Sequence, residues 1–150
     1  MRKLDADSTL ALKRPHEPGT FGSMGSDLEK VIVMLYVDDV ARSLDFYRRV
    51  GLAVAFDAGS YAELSWGTLQ LGLRNRENAR TQFGDAVALT RAPALHQITV
   101  VVDRVDDVAA KLTVHGVELL QEPMDQAWGM RSATFLDPDG HLWEVCSSLD

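Results

Sequence analysis

Glu144 lies in an alternating stretch near the end of the chain, Leu142-Trp143-Glu144-Val145-Cys146. A carboxylate among apolar neighbours has three chemical uses: it ligates a metal, acts as a general base, or anchors a ligand through hydrogen bonds. The other residues with useful chemistry are His96 and Gln97 side by side, Cys146, and the segment Gln126-Ala127-Trp128-Gly129-Met130-Arg131. A divalent ion needs several nitrogen or oxygen donors on one point, so what decides between these uses is which side chains share a face with Glu144. Cys146 as a nucleophile would need a neighbouring base, which the sequence does not supply, and reads as a small half-buried residue. His141 follows a turn and reads as a surface residue. His115 ends a helix, where a cation suits the dipole. Trp128 is costly to leave in water, so it either stacks on a ligand or packs across an interface. Arg131 is a candidate partner for Glu144 or for a ligand anion.

The elements that must position these groups come in two copies. Val37-Asp38-Asp39-Val40 leads to Gly51, and Val102-Asp103-Arg104-Val105 leads to Gly116, with the same spacing (51 − 37 = 116 − 102 = 14). A strand is expected over 31–37, followed by a helix whose stripe is Val40, Leu44, Tyr47 and Val50 and whose end is a left-handed glycine at Gly51. Strands follow near 52–57, 60–66 and 68–74. The second copy has a strand over 95–102, a helical stripe of Val105, Val108, Ala109 and Leu112, and strands near 117–121, 130–136 and 141–147. Asp137-Pro138-Asp139-Gly140 is a tight turn. The expected fold is therefore α+β: two tandem βαβββ modules, residues 30–74 and 94–148, in a single domain over 30–150. Residues 75–93 read as a linker. Residues 1–29 lack periodicity and read as a flexible tail or the remnant of an upstream start.

Composition sets outer bounds. The chain of 150 residues carries a net charge of −7, which argues against nucleic acid and anionic membranes as partners and suits a cationic small molecule. No apolar run reaches the roughly 20 residues of a membrane helix. A single cysteine and no signal-peptide core point to the cytoplasm.

Residues 36–47, Tyr-Val-Asp-Asp-Val-Ala-Arg-Ser-Leu-Asp-Phe-Tyr, and 137–144, Asp-Pro-Asp-Gly-His-Leu-Trp-Glu, resemble the vicinal oxygen chelate superfamily, the glyoxalase, bleomycin-resistance and extradiol dioxygenase fold. The resemblance covers roughly 120 residues. It implies two βαβββ modules forming a half-barrel cleft, and a membership that ranges from lyases, isomerases and dioxygenases to non-catalytic drug binders.

Strand alternation assigns the cleft. Ile32, Met34 and Tyr36 should face it from the first strand, and Gln70, Gly72 and Arg74 from the fourth. In the second module Gln97, Thr99, Val101, Leu142, Glu144 and Cys146 should do so. The resemblance implies metal-ligand positions at Ile32, Gly72, Gln97 and Glu144. Of these, Ile32 and Gly72 offer no donor, Gln97 offers a weak one, and Glu144 alone is a good ligand. A one-residue slip would substitute His96 for Gln97, at the expense of turning Ile98 and Val100 off the core.

The expectation is a metal-free, cofactor-free small-molecule binder of the bleomycin-resistance type. It would act as a homodimer that sequesters an aromatic or cationic compound such as an antibiotic, in a site of Met34, Tyr36, Gln97, Trp128, Arg131 and Glu144. The alternative is a metal-dependent lyase, isomerase or dioxygenase, with a divalent ion on Glu144 and His96 or Gln97. A metal-free enzyme with Glu144 as general base is a third reading.

Overall fold

The computed structural model describes residues 30–84 and 96–149. The tail reading for 1–29 lies outside these residues, as does the stretch 85–95. The first module runs β1 (Val33–Val37), α1 (Val40–Val50), β2 (Ala53–Asp57), β3 (Tyr61–Trp66) and β4 (Leu69–Asn75). A helix follows, α2 (Arg76–Phe83). The second module runs β5 (Gln97–Val101), α3 (Val105–Val114), β6 (Leu119–Asp125), β7 (Met130–Leu136) and β8 (Leu142–Ser148). Each module forms one four-stranded sheet, in the orders β1-β4-β3-β2 and β5-β8-β7-β6. The β1–β4 and β5–β8 pairs are parallel and the others antiparallel. The repeat read from the sequence is thus the repeat of the fold.

Local chemistry explains the boundaries. Asp39 caps α1 by accepting from the Arg42 N–H at 3.0 Å, and Gly51 ends the helix at φ 110°, where a side chain would be strained. All four residues of the expected stripe, Val40, Leu44, Tyr47 and Val50, are buried. Two elements differ from expectation. The strand expected at 117–121 continues to Asp125 through Pro123, which β6 tolerates because it is an edge strand and bulges between Gln121 and Met124. The segment read as linker holds α2, capped by the Asn75 side chain on the Asn78 N–H at 3.1 Å. Ala79 is its single buried residue among those described, so no apolar stripe announces it.

The modules share one core on the helix side of the sheets. Phe46 of α1 packs on Phe135, Tyr47 packs on Trp143, and Phe135 stacks on Trp143. Trp66, at the end of β3, lies 6.4 Å from Trp143 rather than on the open face, because it shares the strand face of Ala62 and Leu64.

The two motifs that suggested the superfamily meet here. Tyr47 Oη donates to Asp137 Oδ2 at 2.6 Å and accepts from Trp143 Nε1 at 3.2 Å. Asp139 accepts from the Asp38 N–H and the Ser43 hydroxyl and lies 3.5 Å from the Arg42 guanidinium. His141, expected at the surface, is mostly buried and its Nδ1 lies 2.7 Å from Asp137 Oδ2. Residues about 90 positions apart therefore clamp α1 to the β7–β8 turn. Burial pushes the Tyr47 phenol well above its ordinary pKa, and the Asp137 charge pushes it further. Burial also pushes the Asp137 carboxyl up, but hydrogen bonds from His141 and Tyr47 outweigh it and hold the carboxyl below its ordinary value.

Candidate functional site

With α1 and α3 packed on one side, each sheet keeps an open face. On the second module that face carries Gln97, Thr99 and Val101, all exposed, and Glu144 beside them. Thr99 is the β5 register partner of Glu144. Glu144 Oε2 accepts from Gln97 Nε2 at 3.1 Å and from Thr99 Oγ1 at 3.0 Å, and Gln97 Nε2 also donates to Thr99 Oγ1 at 3.0 Å. One carboxylate oxygen is thus fixed by two neutral donors, and Oε1 has no such donor among the described residues.

His96 precedes β5, and its ring lies 6.1 Å from that of His141, near the Asp137 clamp. Gln97 and Thr99 meet Glu144 while Ile98 and Val100 turn to the core, so the register that would bring His96 into the cleft is not adopted. Cys146 follows Glu144 on the same face but is buried. Burial and then the nearby Glu144 charge push its thiol pKa up, which disfavours the thiolate a nucleophile needs.

On the first module's open face Met34 and Tyr36 are half-buried, as alternation requires. Met34 folds over Gly72: a Cβ at Gly72 would fall 2.5 Å from Met34 Cε, 2.7 Å from Met34 Sδ and 3.0 Å from Ile32 Cγ2. Both donor-free positions are thereby filled by hydrocarbon and thioether. Glu63 faces Gly72 across the β3–β4 ladder and accepts from the Tyr61 hydroxyl at 2.7 Å. The sequence reading passed over this carboxylate, although the burial of Ala62 and Leu64 on either side would have turned Glu63 to the open face. The hydrogen bond to Glu63, then burial, raises the Tyr61 pKa.

Trp128 sits in the β6–β7 turn, 68% exposed, where Gly129 at φ 84° donates its N–H to Gln126. Arg131 does not reach Glu144. It shares the face of Ala133 and Phe135 on β7, opposite to the Glu144 face, and pairs with Asp106 of α3 and with Asp125, both at 2.7 Å. Hydrogen bonds from Arg131 hold the Asp106 carboxyl below its ordinary value. A groove of about 450 Å³ between the β3–β4 turn and β5, walled by Trp66, Leu69, Ile98 and Val100, has no ionisable lining residue and meets the Glu144 cluster only through Thr99.

The donor set does not fit a divalent ion. The four positions implied by the resemblance supply one carboxylate and one amide, and no three His, Cys, Asp or Glu side chains converge among the described residues.

Comparison with known proteins agrees with the architecture. The family model for the Glyoxalase/Bleomycin resistance protein/Dioxygenase superfamily matches residues 31–145, and the chain belongs to this superfamily. Its structure is similar to a glyoxalase/bleomycin resistance protein/dioxygenase from Nocardioides, at 18% identity and TM-score 0.74 over 95% of this chain and 91% of that one. It is similar to a glyoxalase-related enzyme from Fulvimarina pelagi, at 25% identity and TM-score 0.68 over 81% and 89% of the two chains. It also resembles the bleomycin resistance determinant encoded on the transposon Tn5, at 18% identity and TM-score 0.64 over 82% of this chain and 100% of that one. A search of curated proteins gives no match. Among the described residues no helix is long and apolar enough to cross a membrane.

Proposed function

We propose that the protein is a metal-free, cytoplasmic small-molecule binder of the bleomycin-resistance type, in which two chains form a symmetric dimer around a cleft between open sheet faces. The observation that carries this reading is the pair of contrasting faces. Glu144 is held by two neutral donors with an oxygen left for a ligand, while Met34 and Ile32 fill the first module's donor-free positions. A fixed carboxylate beside a soft apolar surface attracts a cationic or donor-rich aromatic compound, and Trp128 offers a ring for stacking. The net charge of −7 adds a field of the right sign.

Titration of purified protein with bleomycin and other cationic aromatic antibiotics, followed by tryptophan fluorescence, tests this reading. Saturable binding by wild type that Glu144→Gln weakens about tenfold or more is expected, as for loss of a charged hydrogen-bond acceptor. A stoichiometric, tightly held divalent metal in protein purified without chelators would overturn it in favour of the metal-dependent enzyme.

A further inference from the structure

The first module's open face carries a further row of groups, of which the site expected around Glu144 uses only Tyr36. Tyr36, Arg74 and Tyr61 stand in one row across β1, β4 and β3 as register partners. The Arg74 guanidinium lies 5.1 Å from the centre of the Phe83 ring and donates through Nη2 to Gln82 Oε1, both on α2. Phe56 lies 6.1 Å from Tyr61 on the other flank. Arg74 is thus fixed on one side by an amide and backed by a ring, and it pairs with no carboxylate among the described residues. The chain has 22 acidic residues against 15 Lys and Arg, so an arginine left without an acid partner on a half-buried face is the exception.

We infer that this row is a binding subsite for an aromatic carboxylate, with Arg74 taking the carboxylate and the rings of Tyr36, Tyr61 and Phe83 flanking the aromatic body. A planar guanidinium with one edge engaged keeps a second edge of parallel donors, which matches a carboxylate. Stacking on Phe83 holds that plane in place. Tyr61 gives its hydroxyl proton to Glu63, so it presents a ring face rather than a donor. A carboxylate is favoured over a phosphate because Arg74 is alone: the nearby Arg76 is committed to Asp38 at 3.2 Å and Asp139 at 3.9 Å. The subsite stands independently of Glu144.

The test is calorimetric titration of the full chain with benzoate, benzamide and benzylamine, supported by amide chemical-shift mapping. Benzoate is expected to bind saturably with shifts at Tyr36, Arg74 and Tyr61, and benzamide about tenfold or more weakly, because it lacks the charged acceptor. Arg74→Gln should abolish the preference for benzoate, Arg74→Lys should weaken it by removing the fork, and Phe83→Ala should weaken both neutral and charged rings. Glu144→Gln should leave benzoate binding unchanged while weakening cationic compounds, so the two sites fail separately. Benzoate binding that survives Arg74→Gln in a folded variant, equal affinity for benzamide, or no saturable binding of benzoate by wild type would each overturn the proposal.

Discussion

Asp137 takes four hydrogen bonds: from Tyr47 Oη, from His141 Nδ1, and from the backbone N–H groups of Asp139 and His141. Its role is to join α1 to the last hairpin, so its removal is expected to show in stability rather than in ligand binding. Asp137→Asn should cost about 1.5–3 kcal/mol, the usual range for hydrogen bonds to a charged group, and Tyr47→Phe about 1–3 kcal/mol for stranding its partners. Chemical denaturation of the two single variants and the double variant should reveal coupling, because one bond is lost in all three. The sign with pH follows from the lowered carboxyl pKa. The ionised, hydrogen-bonded form is favoured in the folded state, so this stabilisation is complete above the ordinary carboxylate pKa and is lost as pH falls through the lower folded value. Wild type should lose this contribution between those two values, and Asp137→Asn should have a flatter acid limb in denaturation curves below about pH 4. At the same scale, the Glu144 face was legible in the sequence, because Ile98 and Val100 had to turn inward and so turned Gln97 and Thr99 outward. Arg131, a candidate partner for Glu144 by sequence, turns away from it because Ala133 and Phe135 put it on the helix side of β7. Its ion pairs are substantially exposed, so Arg131→Ala should leave the denaturation midpoint nearly unchanged and leave ligand affinity unchanged.

The elements divide by the kind of signal that encodes them. α1 was readable because an Asp cap, an apolar stripe and a terminal glycine agree, and its copy followed from the repeat. The strand expected at 117–121 stops short of Pro123, whereas β6 runs through it, because the sequence does not say which strands are edges. α2 was invisible because it is short and polar, and its place is set by tertiary contacts: it packs on β4 and β1, and Arg76 reaches the Tyr36 carbonyl and the acids at the clamp. A helix held this way should depend on its cap. Asn75→Ala is expected to destabilise the region by about 1 kcal/mol. Hydrogen exchange should then quicken over residues 76–84 with little change in α1 or α3. Because Phe83 and Gln82 hold Arg74, the same variant should weaken benzoate binding without touching Arg74 itself. Uniform quickening across the whole chain would instead mean that α2 is part of the global fold.

At the scale of the whole molecule, the modules spend their large apolar side chains on one another through the helix side, which leaves the second module's open sheet in water. Val101 is 72% exposed there, and Met124 and Leu136, on the same face by their register with Ser132 and Leu142, are 45% and 41% exposed. An apolar set of this kind on a sheet face is what a partner surface covers, and a second copy is the partner that a duplicated scaffold offers most simply. The dimer expected on this ground buries Val101, so Val101→Asp should place an unpaired charge in the interface and shift the assembly to monomer. Sedimentation equilibrium at micromolar concentration should give twice the chain mass for wild type and a single chain mass for the variant. Because Val101 touches neither the core nor the clamp, the thermal melt of the variant should stay cooperative, with a midpoint that no longer rises with protein concentration. Binding of cationic aromatic compounds should fall with the dimer, since Glu144 would keep its two donors but lose the opposing wall. Wild-type protein that sediments as a monomer and still binds such compounds would place the whole site on one chain.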